Sequence, residues 1–177
     1  SVDESGLYNS NPRVPIKEVY ENTIIPLLKD AKGLIYKNTD GGYVPGRVCA
    51  ASAAGLLAKV YATIGAASTP KGEQITVKTG VPYVIQNIDG VDVKVYTDPV
   101  PTVFSKDLVA GYENFDSRSC YTEAYQLAKD VMDGVYGEHS LAPYDELWSA
   151  SGKVCSEFLF SLQTLSGDAS FGTLFSL

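Results

Sequence analysis

The sequence predicts a mainly α fold: antiparallel helix pairs with an inserted β-hairpin. Three observations lead there. The stretch Gly46–Ile64 is apolar on nearly all sides at helical spacing. A second, proline-interrupted helical pattern precedes it from Val14. Between residues 72 and 116 the pattern changes to a β-branched region with alternating charges.

Gly46–Ile64 reads as the central helix. At 3.6 residues per turn, Ala50, Ala53, Ala54, Leu57, Tyr61 and Ile64 line one face. Val48, Ala51, Gly55, Ala58 and Ala62 line another. Only Arg47 and Lys59 are charged, and a helix apolar on several faces is a buried one. The helix before it opens at Val14-Pro15, with Pro15 suited to the first helical position. Ile16, Val19, Tyr20, Ile24, Leu27, Ala31 and Leu34 keep the spacing. Pro26 falls inside the run. It removes an amide donor and crowds the carbonyl of Asn22, which predicts a kink. Asn38, Asp40, Gly41 and Gly42 then form a turn, so residues 14–65 make an antiparallel helix pair.

The β-rich insertion spans residues 72–116. Within it Gln74–Tyr96 reads as a hairpin, with room for a third short strand. Val91, Val93 and Val95 alternate with Asp92 and Lys94, the period of a half-exposed strand. Asp89-Gly90 is a two-residue turn signal. Asp98-Pro99 and Pro101 stop the second strand.

Residues 117–148 read as a helix and an aromatic turn. Tyr121, Ala124, Tyr125, Ala128, Val131 and Met132 hold helical spacing, with Ser119 as the expected N-cap and Gly134 as the C-cap. Residues 156–177 are strand-like, with alternation over Glu157–Gln163. The apolar end, Thr173 to Leu177, is the kind of segment expected to pack on something beyond this chain. All 177 residues are read as a single domain, a fragment of a longer protein.

Bulk properties exclude several classes. Net charge is −7 and the pI is near 4.6. That argues against nucleic acid, which needs a basic face, and against an anionic membrane surface. Three widely spaced cysteines, Cys49, Cys120 and Cys155, form neither a disulfide framework nor a CxxC metal motif. They read as small buried hydrophobes. His139 is the only histidine and has no nucleophile motif around it, so no catalytic set is assigned. The carboxylates Asp145 and Glu146, or Asp89 and Asp92, read as solvated rather than as an acid–base pair. Residues 38–42 lack the further ligands of a calcium loop. No metal or cofactor is expected.

Aromatic side chains are the suggestive feature, with twelve tyrosines and one tryptophan. Tyrosine offers a sugar ring both an apolar face and a polar handle. Tyr20, Tyr61, Tyr121 and Tyr125 sit on helix faces and are expected in the core. Tyr83, Tyr96 and Tyr112 lie in the insertion and are the candidate carbohydrate-binding residues, and Tyr43 lies in a loop.

Several segments fall in a familiar order. They are VPIKEVYENTIIPLLKDAKGL at Val14–Leu34, Gly46-Arg47, the A-A-x-x-L-L-A-K-V-Y stretch at Ala53–Tyr61, YTEAYQLAKDVMDG at Tyr121–Gly134, YDELW at Tyr144–Trp148, and SEFLFSLQ at Ser156–Gln163. This order resembles the SusD/RagB family, surface glycan-binding lipoproteins of Bacteroidetes. The resemblance covers about Val14–Ile64 and Cys120–Gln163. Pro26 departs from it, and residues 72–116 have no counterpart.

The resemblance implies tetratricopeptide-like helix pairs, and it implies a packing position, hence the core, for Trp148. It implies non-catalytic capture of oligosaccharide or polysaccharide for uptake by a TonB-dependent (SusC-type) outer-membrane transporter. It also implies lipid anchoring on the extracellular face of the outer membrane through a segment absent from this chain. The rival expectation is a helical-repeat protein-interaction scaffold without a sugar site of its own.

Overall fold

The computed structural model describes residues 13–78, 80, 82–148 and 155–161. Helix α1 (Ile16–Val19) runs through a π-helical turn, Tyr20–Ile24, into α2 (Ile25–Leu34). In that turn Ile25 N–H donates to the Tyr20 carbonyl, one residue further back than in an α-helix. Pro26, two residues into α2, has no amide to give and a ring that crowds the carbonyl four residues before it. The wider turn relieves that crowding, so the proline expected to kink the helix stands just after a π-bulge.

Helix α3 (Ala50–Ala67) is the core element. Leu57 and Ile64 are wholly buried, and so are Ala51 and Ala54. All six residues of the first expected face are buried. The second expected face is less well covered: Ala51 is buried, Gly55, Ala58 and Ala62 are partly buried, and Val48, just before the helix, is half exposed. By length and composition α3 would pass for a membrane span. Here it is sandwiched between α2 and α4 (Ser117–Met132). Cys120, Ala124 and Leu127 of α4 join Leu57, Tyr61, Ile64 and Tyr112 in the core, with Tyr20, Ile25, Leu28 and Phe115 packed around them.

The N-cap of α4 lies three residues before the expected one. Asp116 is the N-cap, and its Oδ1 accepts from Ser119 N–H at 3.0 Å. Ser119 is therefore in the first turn, where its amide is one of the unsatisfied donors. At the far end Gly134 takes a left-handed conformation, as expected of a helix stop.

The insertion is larger than a single hairpin. Strands β2 (Tyr83–Ile88) and β3 (Val91–Tyr96) pair antiparallel, Tyr83 opposite Tyr96 and Ile88 opposite Val91. Their turn is Asp89-Gly90, both at positive φ (52° and 83°), the arrangement that type I′ geometry demands. Strand β1 (Gln74–Lys78) does not join that pair. It pairs with β4 (Pro101–Ser105), Gln74 opposite Ser105 and Lys78 opposite Pro101. Equal four-residue stretches, 79–82 and 97–100, separate the two ladders, so both keep one register. The result is one long two-stranded ribbon with a proline-rich break at Pro82 and Pro99. Pro101 opens β4 at its first position, a place where the missing amide is tolerated. Thr97 N–H to the Pro82 carbonyl, at 2.9 Å, bridges part of the break. The β2–β3 end of the ribbon, six residues on each limb, spans about 20 Å at roughly 3.3 Å per residue. Nearly every residue in its four strands is exposed.

The mainly α, tetratricopeptide-like expectation is therefore overturned. The architecture is mixed α/β, 40% helical, with two antiparallel two-stranded ladders. Two physical causes stand out. The β segment continues through Pro101, which the sequence reading took as a stop. The helices do not recur as pairs either: α3 alone serves as partner to both α2 and α4, and α5 (Tyr144–Leu147) is a single turn. The expected strand over Glu157–Gln163 is also absent across 155–161, where the backbone turns at Ser156-Glu157. Gln163 and the rest of the strand-like end lie outside the described residues.

Candidate functional site

Alternation along the ribbon gives the β2–β3 hairpin two unlike faces. Tyr83, Ile85 and Asn87 share one with Tyr96, Lys94 and Asp92. Val84, Gln86 and Ile88 share the other with Val95, Val93 and Val91. On the first face the rings of Tyr83 and Tyr96 meet edge-on, with centroids 6.0 Å apart. Lys94 Nζ stands 4.6 Å from the Tyr83 ring centroid, a cation–π distance. Asn87 Nδ2 donates to Asp92 Oδ1 at 2.9 Å. Tyr83 is 48% exposed and Tyr96 64%. Two of the three candidate tyrosines thus form one accessible aromatic platform with a cation beside it.

Tyr112 belongs elsewhere. It is 8% exposed, in the core, with its hydroxyl 3.3 Å from that of Tyr20. That hydrogen bond, with burial, pushes its pKa up to about 12. The ring packs against Phe115 (5.8 Å) as well as Tyr20. The loop position suggested access, but the 109–116 segment folds back onto α3, beginning with Val109 N–H to the Ala67 carbonyl. Tyr112 is a core residue, not part of a sugar platform.

The aromatics expected in the core divide. Tyr61 is buried and Tyr20 packs at the core's edge. Tyr121 and Tyr125 are 45% and 68% exposed. Trp148 is 75% exposed and touches Tyr144 edge-on at 6.1 Å, so it is not a core anchor among the described residues. Tyr43 donates its hydroxyl to the Arg47 carbonyl at 3.2 Å.

His139 has a defined partner set. Its Nδ1 is 3.0 Å from the Ser156 carbonyl, and its Nε2 is 3.9 Å from Cys49 Sγ. A carbonyl can only accept, so Nδ1 donates to Ser156, and Nε2 stands beside the thiol. Cys49, the N-cap residue of α3, is 1% exposed and lies 3.8 Å from the Leu159 carbonyl. The pair acts as a clasp holding 155–161 against the start of α3. Beside it is an open cleft of about 280 Å3 that includes Asn38, Arg47, His139 and Phe160. Asn38 is committed to the Glu138 backbone, accepting its N–H at 2.9 Å and donating to its carbonyl at 2.6 Å. Asp40 accepts the Lys37 amide at 2.8 Å. The turn at 38–42 is thus a structural tie. Among the described residues no group of three or more His, Cys, Asp or Glu side chains converges to hold a metal.

The sequence marks Lys94 only as an alternating strand residue and Tyr121 only as a core residue. Lys94 was legible: once Asp89-Gly90 fixes the turn, Lys94 sits diagonal to Tyr83 on the same face. The exposure of Tyr121 had no sequence signal, because its spacing in α4 matches that of Ala124.

Comparison with protein-family models, with curated proteins and with solved structures finds no match for this chain.

Proposed function

We propose that this chain takes part in the non-catalytic capture of oligosaccharide at a bacterial cell surface. In this reading it serves a lipid-anchored protein on the extracellular face of the outer membrane, which hands its ligand to a TonB-dependent transporter. The observation that carries the proposal is the exposed Tyr83–Tyr96 pair with Lys94 beside it. Two tyrosines on a projecting ribbon offer C–H stacking surface, and their hydroxyls and the ammonium offer polar contacts. The order of motifs resembling the SusD/RagB family supplies the cellular role. The acidic charge supports a neutral or cationic ligand over a phosphate-bearing one.

A second reading is favoured by the opposite face of the same hairpin. Val84, Ile88, Val91 and Val93 are each 40–64% exposed. An isolated two-stranded hairpin is at best marginally stable in water, and contiguous exposed apolar surface marks interaction sites. This favours a protein-interaction scaffold without a sugar site of its own. Calorimetry with neutral oligosaccharides separates the two. Under the capture reading Tyr83→Ala and Tyr96→Ala each weaken binding several-fold with unchanged helical circular dichroism. Lack of any oligosaccharide binding by the unmodified protein leaves the scaffold reading.

A further inference from the structure

We infer that a second carbohydrate-stacking site lies in the groove where the end of α3 meets the start of α4, with Tyr121 as its platform. The class of ligand rests on the capture reading above; the site itself rests on geometry in the helical body. The groove is open and encloses about 770 Å3, within the size range of small-molecule sites. Tyr121, Arg118, Asn114 and Glu73 line it, together with Phe115 and Ser117.

The platform is held from below. Tyr121 packs on the bare Cα of Gly65, where a methyl group would stand 3.2 Å from the ring. An alanine there would have to push the ring out by a few tenths of an ångström. The joint beneath is tied by side-chain hydroxyls. The Gly65 carbonyl accepts from Ser117 Oγ at 2.7 Å and from Thr69 Oγ1 at 2.9 Å, and those two hydroxyls are 3.2 Å apart. Thr69 is 6% exposed. A ring seated on a rigid joint loses little freedom when a ligand stacks on it, which is the condition for a useful aromatic contact. Yet 45% of Tyr121 remains exposed, and it lines the groove.

The groove's other side chains fit hydroxyl groups better than charges or hydrocarbon. Arg118 and Asn114 are exposed donors, and Glu73 is an exposed acceptor. Two further carboxylates at the rim are already engaged. Asp116 caps α4. Glu113 accepts from the Gly111 N–H at 3.0 Å, and bonds from its own amide and from Gly111 hold its carboxyl below the usual range. Three carboxylates around one guanidinium disfavour a phosphate or sulfate ligand. A mixed lining of donors, an acceptor and one aromatic ring suits a neutral pyranose, stacked on Tyr121 with its hydroxyls between Arg118, Asn114 and Glu73.

The test is calorimetric titration of the full chain with cellohexaose, xylohexaose and mannohexaose. The variants are Tyr121→Ala, Tyr121→Phe and Arg118→Ala, with Tyr83→Ala for comparison. Tyr121→Ala is expected to weaken the best of the three ligands by about tenfold, and Tyr121→Phe by less than about threefold. Tyr121→Ala also removes packing on Gly65, so Arg118→Ala serves as the second variant. Its side chain is exposed, and it should weaken binding several-fold with an unshifted thermal midpoint. Wild-type affinity in both Tyr121→Ala and Arg118→Ala, with binding lost in Tyr83→Ala, would overturn this site and leave the capture reading standing. Failure of all three hexasaccharides to bind the unmodified protein would overturn the capture reading and this site with it.

Discussion

The hydroxyl of Tyr112 lies 3.3 Å from that of Tyr20, tying the segment that follows the β-ribbon to the helical turn before Pro26. Ninety-two positions separate them in sequence. Removing one hydroxyl, Tyr112→Phe, should cost about 0.5–1.5 kcal/mol, and Tyr112→Ala about 3–5 kcal/mol. Urea denaturation of both variants checks this, and a Tyr112→Ala protein as stable as wild type would remove Tyr112 from the core.

The same contact sets a pH dependence. The phenol of Tyr112 is pushed from 10.0 to about 12 in the folded protein. Between those values the unfolded chain has released its proton while the folded chain still holds it. The unfolded state therefore binds fewer protons in that window, and stability falls as pH rises. The contribution is complete below pH 10 and is lost as pH passes about 12. Thermal midpoints measured from pH 9 to 12 should fall more steeply in wild type than in Tyr112→Phe. Parallel curves would contradict the assignment.

Leu57 is wholly buried at the centre of α3. Leu57→Ala should cost about 2–5 kcal/mol, the transfer term plus the cavity left behind. A measured loss below about 0.5 kcal/mol would show that α3 is not the core helix.

Gly90 holds a φ of 83° at the ribbon tip, and its amide donates to Asn87 Oδ1 at 3.0 Å. A β-branched residue there meets a penalty of about 1–2 kcal/mol. Gly90→Val should speed hydrogen exchange of the β2 and β3 amides and leave those of α3 and α4 unchanged. Slow exchange throughout the ribbon in that variant would refute the turn.

Asp116 caps α4, and Asp116→Ala should cost about 0.5–2 kcal/mol. Asp116→Asn, which keeps an acceptor oxygen, should recover most of the loss. Equal destabilisation by both substitutions would mean that the cap bond to Ser119 is not what counts.

The sequence carried the parts of the fold that one element decides by itself. The buried face of α3 was legible from Ala50 to Ile64 because its periodicity needs no partner to be seen. The Asp89-Gly90 turn was legible because few residue pairs tolerate positive φ. What depended on distant partners was not. β1 pairs with β4 across the whole insertion, and Pro101 reads as a stop although it opens a strand. Tyr112 looked accessible because nothing local says that its loop folds back onto α3. Tyr121 looked buried because helical spacing gives the side of a helix but not whether another element covers it, and Trp148 because the resembled family packs an aromatic there. For the candidate site, Tyr83 and Tyr96 were named singly; their pairing, and the place of Lys94 over Tyr83, follow only once the register is fixed.

That register has an evolutionary consequence. Both ladders keep step because the strands lose the same number of residues at the break. The ribbon can therefore lengthen or shorten between related sequences only by matched insertions or deletions, one in each limb. An unmatched single-residue change inside β2 would turn Tyr83 toward the valine side or carry Val84 onto the aromatic side. Among homologues, gaps in 74–88 should be mirrored by gaps in 91–105, so that Tyr83 stays opposite Tyr96.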